Sequence, residues 1–171
     1  MKIINSLILL FLALSFTSFD KPFIAKPLNT GQITDSIPEM NRQIVDYAKK
    51  KIKKKVGRGE CWDFAAEALQ TANAKWDMNY KFGKEINYKK EPVFPGDIIQ
   101  LEGVILNYEI NGMKYTEKMM HHTAIIYEVN SQNSFMIAHQ NNGFSGRKVG
   151  VSSLDLATLT KGKFTIYRPE K

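Results

Sequence analysis

Four side chains in this sequence carry the chemistry of nucleophilic catalysis: the single cysteine, Cys61, and three histidines, His121, His122 and His139. A thiol nucleophile needs a base to take its proton and a third polar group to hold that base in one tautomer. Cys61 follows Gly57-Arg58-Gly59-Glu60 and opens an apolar stripe of Cys61, Phe64, Ala65, Ala68, Leu69 and Ala72. That spacing predicts a helix with the cysteine in its first turn, where unpaired N–H groups, the helix dipole and nearby Arg58 favour a thiolate. The same stripe suits a buried structural cysteine, because free cysteine packs as a small hydrophobe. The residues around Cys61 leave both readings open.

The histidines fall at the ends of two runs with strand character, Thr123–Val129 and Ser134–His139. Side chains alternate between the faces of a strand, so His122 shares a face with Ala124 and Ile126, and His121 with Thr123 and Ile125. Only one of the two readily reaches Cys61. His139, with Asn141 if the strand continues that far, lies on the face of Phe135 and Ile137. An imidazole from each strand end can then sit side by side. With no second cysteine and no His-x-x-x-His spacing, neither a metal site nor a cofactor is expected.

The elements that must position these groups are legible in order. Residues 37–56 carry Met40, Ile44, Ala48 and Ile52 at four-residue spacing, with Ser36 and Glu39 placed for a capping box, which predicts a first helix ended by Gly57. The Cys61 helix follows. Residues 74–95 lack a period and read as a long loop whose aromatics, Trp76, Tyr80 and Phe82, anchor it to the core. Pro95-Gly96-Asp97 turns into the strand Ile98–Leu101. Val104–Ile110 and Met113–Lys118 flank Asn111-Gly112, the strongest short hairpin signal. Residues 140–148 read as a loop, Leu154–Leu159 as a helical turn and Lys163–Tyr167 as a closing strand. Two helices followed by five or six antiparallel strands make an α+β domain.

The net charge of +7 is concentrated in one place. Residues 42–58 hold eight positive charges against Asp46, and the rest of the chain is neutral in sum. Lys49, Lys50, Lys53 and Lys54 head this patch, which suits an anionic surface or simply solvates a helix face. Residues 1–18 have the layout of a cleaved signal peptide: Lys2, the apolar run Leu7–Leu14, then small residues. The run is well short of the ~20 residues that span a bilayer. Residues 19–36, with Pro22, Pro27 and Gly31, read as an extended arm before a domain over 37–171. The protein is therefore expected to be exported, periplasmic or secreted, which disfavours nucleic acid as the partner of the basic patch.

Gly59-Glu60-Cys61-Trp62-Asp63-Phe64-Ala65, Pro95-Gly96-Asp97-Ile98-Ile99, His122-Thr123-Ala124-Ile125-Ile126 and His139-Gln140-Asn141 resemble, in order, the motifs of the CHAP and NlpC-type cell-wall amidohydrolases and peptidases. The paired histidines and the His-Gln-Asn run are also similar to a cysteine-proteinase-fold module of some eukaryotic actin-associated scaffold proteins. The resemblance implies a papain-like, NlpC-type fold, with N-terminal helices packed on the antiparallel sheet. It implies Cys61 as nucleophile, His122 rather than His121 as base, His139 as the orienting third residue and Asn141 as support. Trp62 and Asp63 are left to packing and the helix start. The activity it implies is hydrolysis of an amide bond, in peptidoglycan peptides or their link to the glycan. The alternatives are acyl transfer with the same residues, and a non-catalytic binding or scaffold module.

Overall fold

The computed structural model describes residues 37–171, so the signal-like segment, the arm and Ser36 lie outside the described residues. Two helices, α1 (Glu39–Lys51) and α2 (Cys61–Thr71), precede six strands: β1 (Lys84–Ile86), β2 (Ile98–Ile110), β3 (Met113–Ser131), β4 (Ser134–His139), β5 (Gly150–Asp155) and β6 (Leu159–Arg168). They form one antiparallel sheet in the order β1-β6-β2-β3-β4-β5. The α+β architecture with helices first is the one the sequence pattern predicts.

Helix α1 buries Met40, Ile44 and Ala48 as the four-residue spacing requires. It starts after Pro38, and the Glu39 carboxylate accepts from Arg42 Nε at 3.0 Å and Gln43 Nε2 at 3.1 Å within the helix. It ends at Lys51, six residues before the expected stop at Gly57. Ile52 leaves the helix to bridge Val149, with Lys53 N–H donating to the Val149 carbonyl at 2.8 Å and Val149 N–H to the Lys54 carbonyl at 2.9 Å. Those strand-type bonds satisfy backbone groups that a longer helix would have used, and Lys53 takes a left-handed φ of 65° to make the exit.

Helix α2 buries its whole stripe from Cys61 to Leu69, and Ala72 beyond it. Asp63 organises its start: its carboxylate accepts from Arg58 N–H at 2.7 Å and Glu60 N–H at 3.4 Å, and pairs with the Arg58 guanidinium at 2.8 Å. Gly57, at φ +53°, makes this possible, because a Cβ there would lie 2.9 Å from that of Asp63. Arg58 is thus the partner of Asp63, and the positive charge expected beside the thiol is already matched.

The sheet has two buried faces. Ile98, Ile125 and Ala138 pack with Phe64, Ala65, Ala68 and Leu69 of α2 and with Ile44 and Ala48 of α1. Ile99, Leu101, Ala124, Ile126, Phe135 and Ile137 form a second cluster with Val104, Leu106 and Leu154, one that contains no residue of α1 or α2. Each fully buried Ile, Leu or Phe in these clusters contributes roughly 1.5–3 kcal/mol. Asn111 (φ 51°) and Gly112 (φ 77°) form the expected tight turn, with Ile110 facing Met113 across it. The runs read as separate strands on either side of Gly103 and Met120 are continuous, giving a 13-residue β2 and a 19-residue β3.

Residues 74–95 contribute the edge strand β1, which a loop reading missed, but its aromatics do anchor it. Phe82 is fully buried, Trp76 stacks on it at 5.7 Å, and Trp62 of α2 packs on Trp76 at 5.6 Å. β5 was also hidden in the sequence. The helical turn expected over Leu154–Leu159 is one 3-10 turn, Leu156–Thr158, between β5 and β6.

Candidate functional site

The site is built where α2 begins and where β3 and β4 run side by side. His122 on β3 and His139, the last residue of β4, meet with Nε2 of the first 2.8 Å from Nδ1 of the second, their rings nearly perpendicular at 82°. The other nitrogen of His139, Nε2, lies 2.9 Å from Ser152 Oγ on β5. The pair expected at neighbouring strand ends is therefore formed, and it is extended by a serine that sequence reasoning did not select. Ser152 faces Ile137 across the β4–β5 ladder, two positions from His139, and β5 itself had not been recognised.

Both imidazoles are buried, His122 at 7% and His139 at 1% exposure. Burial pushes His122 down to about 4, helped by the neighbouring His121, and pushes His139 down to about 3, helped by His122. Both are neutral at pH 7, and each neutral ring has one N–H, so the two hydrogen bonds must run in the same direction along the chain. The unfolded chain protonates these groups near 6.5 while the native state does not, so stability is lost as pH falls below 6.5 towards 4. At pH 4.5 the loss is expected to be roughly 2–5 kcal/mol relative to pH 7. Urea unfolding of the wild type and of His122→Gln/His139→Gln at both pH values checks this: an equal acid loss in the two proteins would remove the histidines as its source.

The chain that follows His139 reaches the cysteine's doorstep. Gln140, fully buried, donates from Nε2 to the Glu60 carbonyl at 2.7 Å and the Val56 carbonyl at 2.9 Å, and accepts from Val56 N–H at 3.1 Å. Asn141 Nδ2 donates to Glu60 Oε2 at 2.6 Å, and Arg147 pairs with Glu60 Oε1 at 2.6 Å. Glu60 immediately precedes Cys61, so three consecutive residues, His139 to Asn141, join the imidazole pair to the start of α2.

Cys61 itself is 9% exposed. Among the described residues no hydrogen bond joins it to His121, His122 or His139. The alternation of β3 accounts for the separation: Ile125 lies in the helix-facing cluster, whereas Ala124 and Ile126, the residues in phase with His122, lie in the other. His121, exposed, packs the edge of its ring on Tyr80 at 4.3 Å. His122 opens on a groove of about 650 Å³ between the β2–β3 hairpin and the 141–144 loop, rimmed by Met120 and Phe144. His139 and Ser152 open on an adjoining one of about 500 Å³ that shares Tyr108 and Phe144. Trp62 and Asp63 serve packing and the helix start, as expected.

Comparison with known proteins bears on this arrangement. A protein of Debaryomyces hansenii, "Altered inheritance of mitochondria protein 3", is 28% identical over a 170-residue alignment that covers 86% of this chain and 18% of that protein's length. Two solved structures align with part of the chain: "The crystal structure of Ly7917" (15% identity, 74% of this chain and 62% of that one, TM-score 0.47) and "The crystal structure of Ly7917 with the hydrolyzing product of MDP" (17%, 75% and 62%, 0.49). Residues 20–171 match the family profile described as "AIM3/BBC1 Cysteine proteinase-fold domain". The helix-borne cysteine, the strand-borne histidines and this match over nearly the whole chain make it a member of the AIM3/BBC1 cysteine proteinase-fold domain family.

Proposed function

We propose that this protein is an exported cysteine hydrolase that cleaves an amide bond, with Cys61 as nucleophile, His122 as base, His139 orienting it and Asn141 supporting the site. The observation that carries this is the continuous tie from the His122–His139 pair through Gln140 and Asn141 to Glu60, next to the thiol. The order of its motifs, similar to those of CHAP and NlpC-type enzymes, and its signal-like N-terminus support peptidoglycan peptides, or their link to the glycan, as substrate.

These proposed roles set the proton inventory. His122 Nε2 is committed to His139, so Nδ1 must take the thiol proton and must start without one. His122 then carries its proton on Nε2 and donates to His139 Nδ1, and His139 donates from Nε2 to Ser152 Oγ. The Cys61 thiolate attacks the carbonyl carbon, backbone N–H groups at the start of α2 face the developing oxyanion, and imidazolium Nδ1–H protonates the departing amine. Water, deprotonated at the same nitrogen, releases the acid from the thioester; an amine in its place gives acyl transfer. His122 is in phase with Ala124 and Ile126, on the sheet face away from α2, so this scheme requires β3 to shift locally before Nδ1 reaches the thiol, and an unchanged Cys61–His122 separation in a substrate-bound structure would count against it. Ser152→Ala frees the opposite tautomer, with the proton on His122 Nδ1, and is expected to lower kcat about tenfold with KM unchanged. Nitrogen-15 NMR of the imidazoles reads the tautomer, and a wild type with its proton on His122 Nδ1 would contradict the scheme.

The burial of Cys61 and its lack of an imidazole partner favour a second reading, a binding or scaffold module that keeps the fold without turnover. Alkylation by iodoacetamide at pH 6 separates the two. A nucleophile activated in place reacts faster than free cysteine, and an inert buried thiol reacts more slowly. Mass spectrometry of purified peptidoglycan after incubation with the protein identifies the bond, and unchanged material would count against the hydrolase.

A further inference from the structure

The chain's excess positive charge is gathered on a surface that the sequence order only half reveals. The exit of α1 is stitched to the 147–149 segment by the Lys53–Val149 and Val149–Lys54 backbone bonds, which sets Lys148 beside Lys53 and Lys54. Lys55 and Arg147 flank Gly59: a Cβ on that glycine would lie 3.1 Å from Lys55 Cε and 2.9 Å from Arg147 Cβ. The surrounding acids are already matched, Asp46 to Lys49, Glu67 to Lys51, Asp63 to Arg58 and Glu60 to Arg147. Lys50, Lys53, Lys54, Lys55 and Lys148 are exposed and have no acidic partner among the described residues.

We infer that this face docks a linear, phosphate-bearing polyanion alongside the turn that leads into Cys61. Lysines are point charges on flexible stems, and five unpaired ones on an open surface, without a buried cradle, suit a row of phosphates better than a single anion. Lys53 to Lys55 lie beyond the end of α1, in the turn that Lys54 N–H closes on the Lys51 carbonyl, so the charges spread from the end of the helix over that turn to the 147–149 segment rather than along one helix face. Within 49–58 no large hydrophobic residue is exposed, and the exposed one on the other segment of the patch, Phe144, four residues before Lys148, also rims the His122 groove, so a soluble polyanion is favoured over a bilayer. Membrane-surface elements usually pair such lysines with an apolar residue that inserts.

The test is independent of hydrolysis. Binding of the full chain to inorganic polyphosphate is measured by fluorescence anisotropy, beside cosedimentation with phosphatidylcholine vesicles containing phosphatidylglycerol. Wild type and Cys61→Ala are expected to bind polyphosphate equally and to weaken about a hundredfold between 50 and 200 mM salt, as counterion release at five contacts requires. The triple variant Lys53→Gln/Lys54→Gln/Lys148→Gln is expected to bind at least tenfold more weakly, with a shallower salt dependence and an unchanged thermal midpoint. Equal affinity in the triple variant, absence of polyphosphate binding at 50 mM salt, or retention on vesicles without polyphosphate binding would each overturn the inference. Loss of hydrolysis in Cys61→Ala with polyphosphate binding intact leaves it standing.

Discussion

Cys61→Ala is expected to lower amide hydrolysis by about 10⁴-fold or more, to the residual rate that substrate positioning and oxyanion donors supply without a nucleophile. The fold should survive. Cys61 is the first residue of the α2 stripe, and Phe64, Ala65, Ala68 and Leu69 carry the packing behind it, so loss of one sulfur atom costs only about 1 kcal/mol. The measurement is release of new termini from purified peptidoglycan, with the thermal midpoint taken in parallel. Retained hydrolysis in a folded Cys61→Ala protein would rule out the thiol mechanism. Wild-type protein that leaves peptidoglycan unchanged, with a slowly alkylating thiol, would instead favour the scaffold reading.

The second large effect concerns stability and lies away from the thiol. Asp97, fully buried in the Pro95-Gly96-Asp97 turn, accepts from Arg168 Nε at 3.1 Å and Nη2 at 2.8 Å, from Asn41 Nδ2 of α1 at 2.8 Å and from Phe94 N–H at 2.9 Å. One carboxylate thus joins α1, the turn before β2 and the end of β6. Burial pushes this carboxyl above the usual range against the opposing pull of Arg168, Phe94 and Asn41, so the native state does not resist its protonation. Asp97 therefore does not add to the acid lability expected of the histidines. Asp97→Ala leaves a largely buried guanidinium without its counter-charge, with only the Pro92 carbonyl, and a fully buried amide with only the Pro95 carbonyl, and is expected to cost about 3–5 kcal/mol. Asp97→Asn keeps the shape and loses the charge, and should fall between that variant and wild type. Urea unfolding at pH 7 measures both, and a loss below about 1 kcal/mol for the alanine variant would show that the cluster does not tie these elements together.

Features encoded by neighbours in the chain were legible without the structure. The α2 stripe depends on contacts three and four residues apart, the Asn111-Gly112 turn on two residues that tolerate positive φ, and the pairing of His122 with His139 on the period of two strands joined by a short connection. Each of these is a local rule applied over a few residues, and the structure follows it.

The remainder depended on partners far apart in sequence. β1 exists because residues 84–86 find the free edge of β6, β5 because it completes β4, and α1 stops at Lys51 because Val149 offers Ile52 and Lys53 strand-type bonds. Ser152 enters the imidazole chain only through the β4–β5 register, and Glu60 becomes the hub beside the nucleophile only because Gln140, Asn141 and Arg147 return to it 80 to 87 residues later. By itself, therefore, the sequence determined the residue types capable of thiol chemistry and the local elements that carry them. The tertiary structure decided which groups meet: it joined His122, His139 and Ser152, bound their loop to Glu60 and left Cys61 without a hydrogen bond to an imidazole, because strand pairing and sheet face are set by contacts no local pattern records.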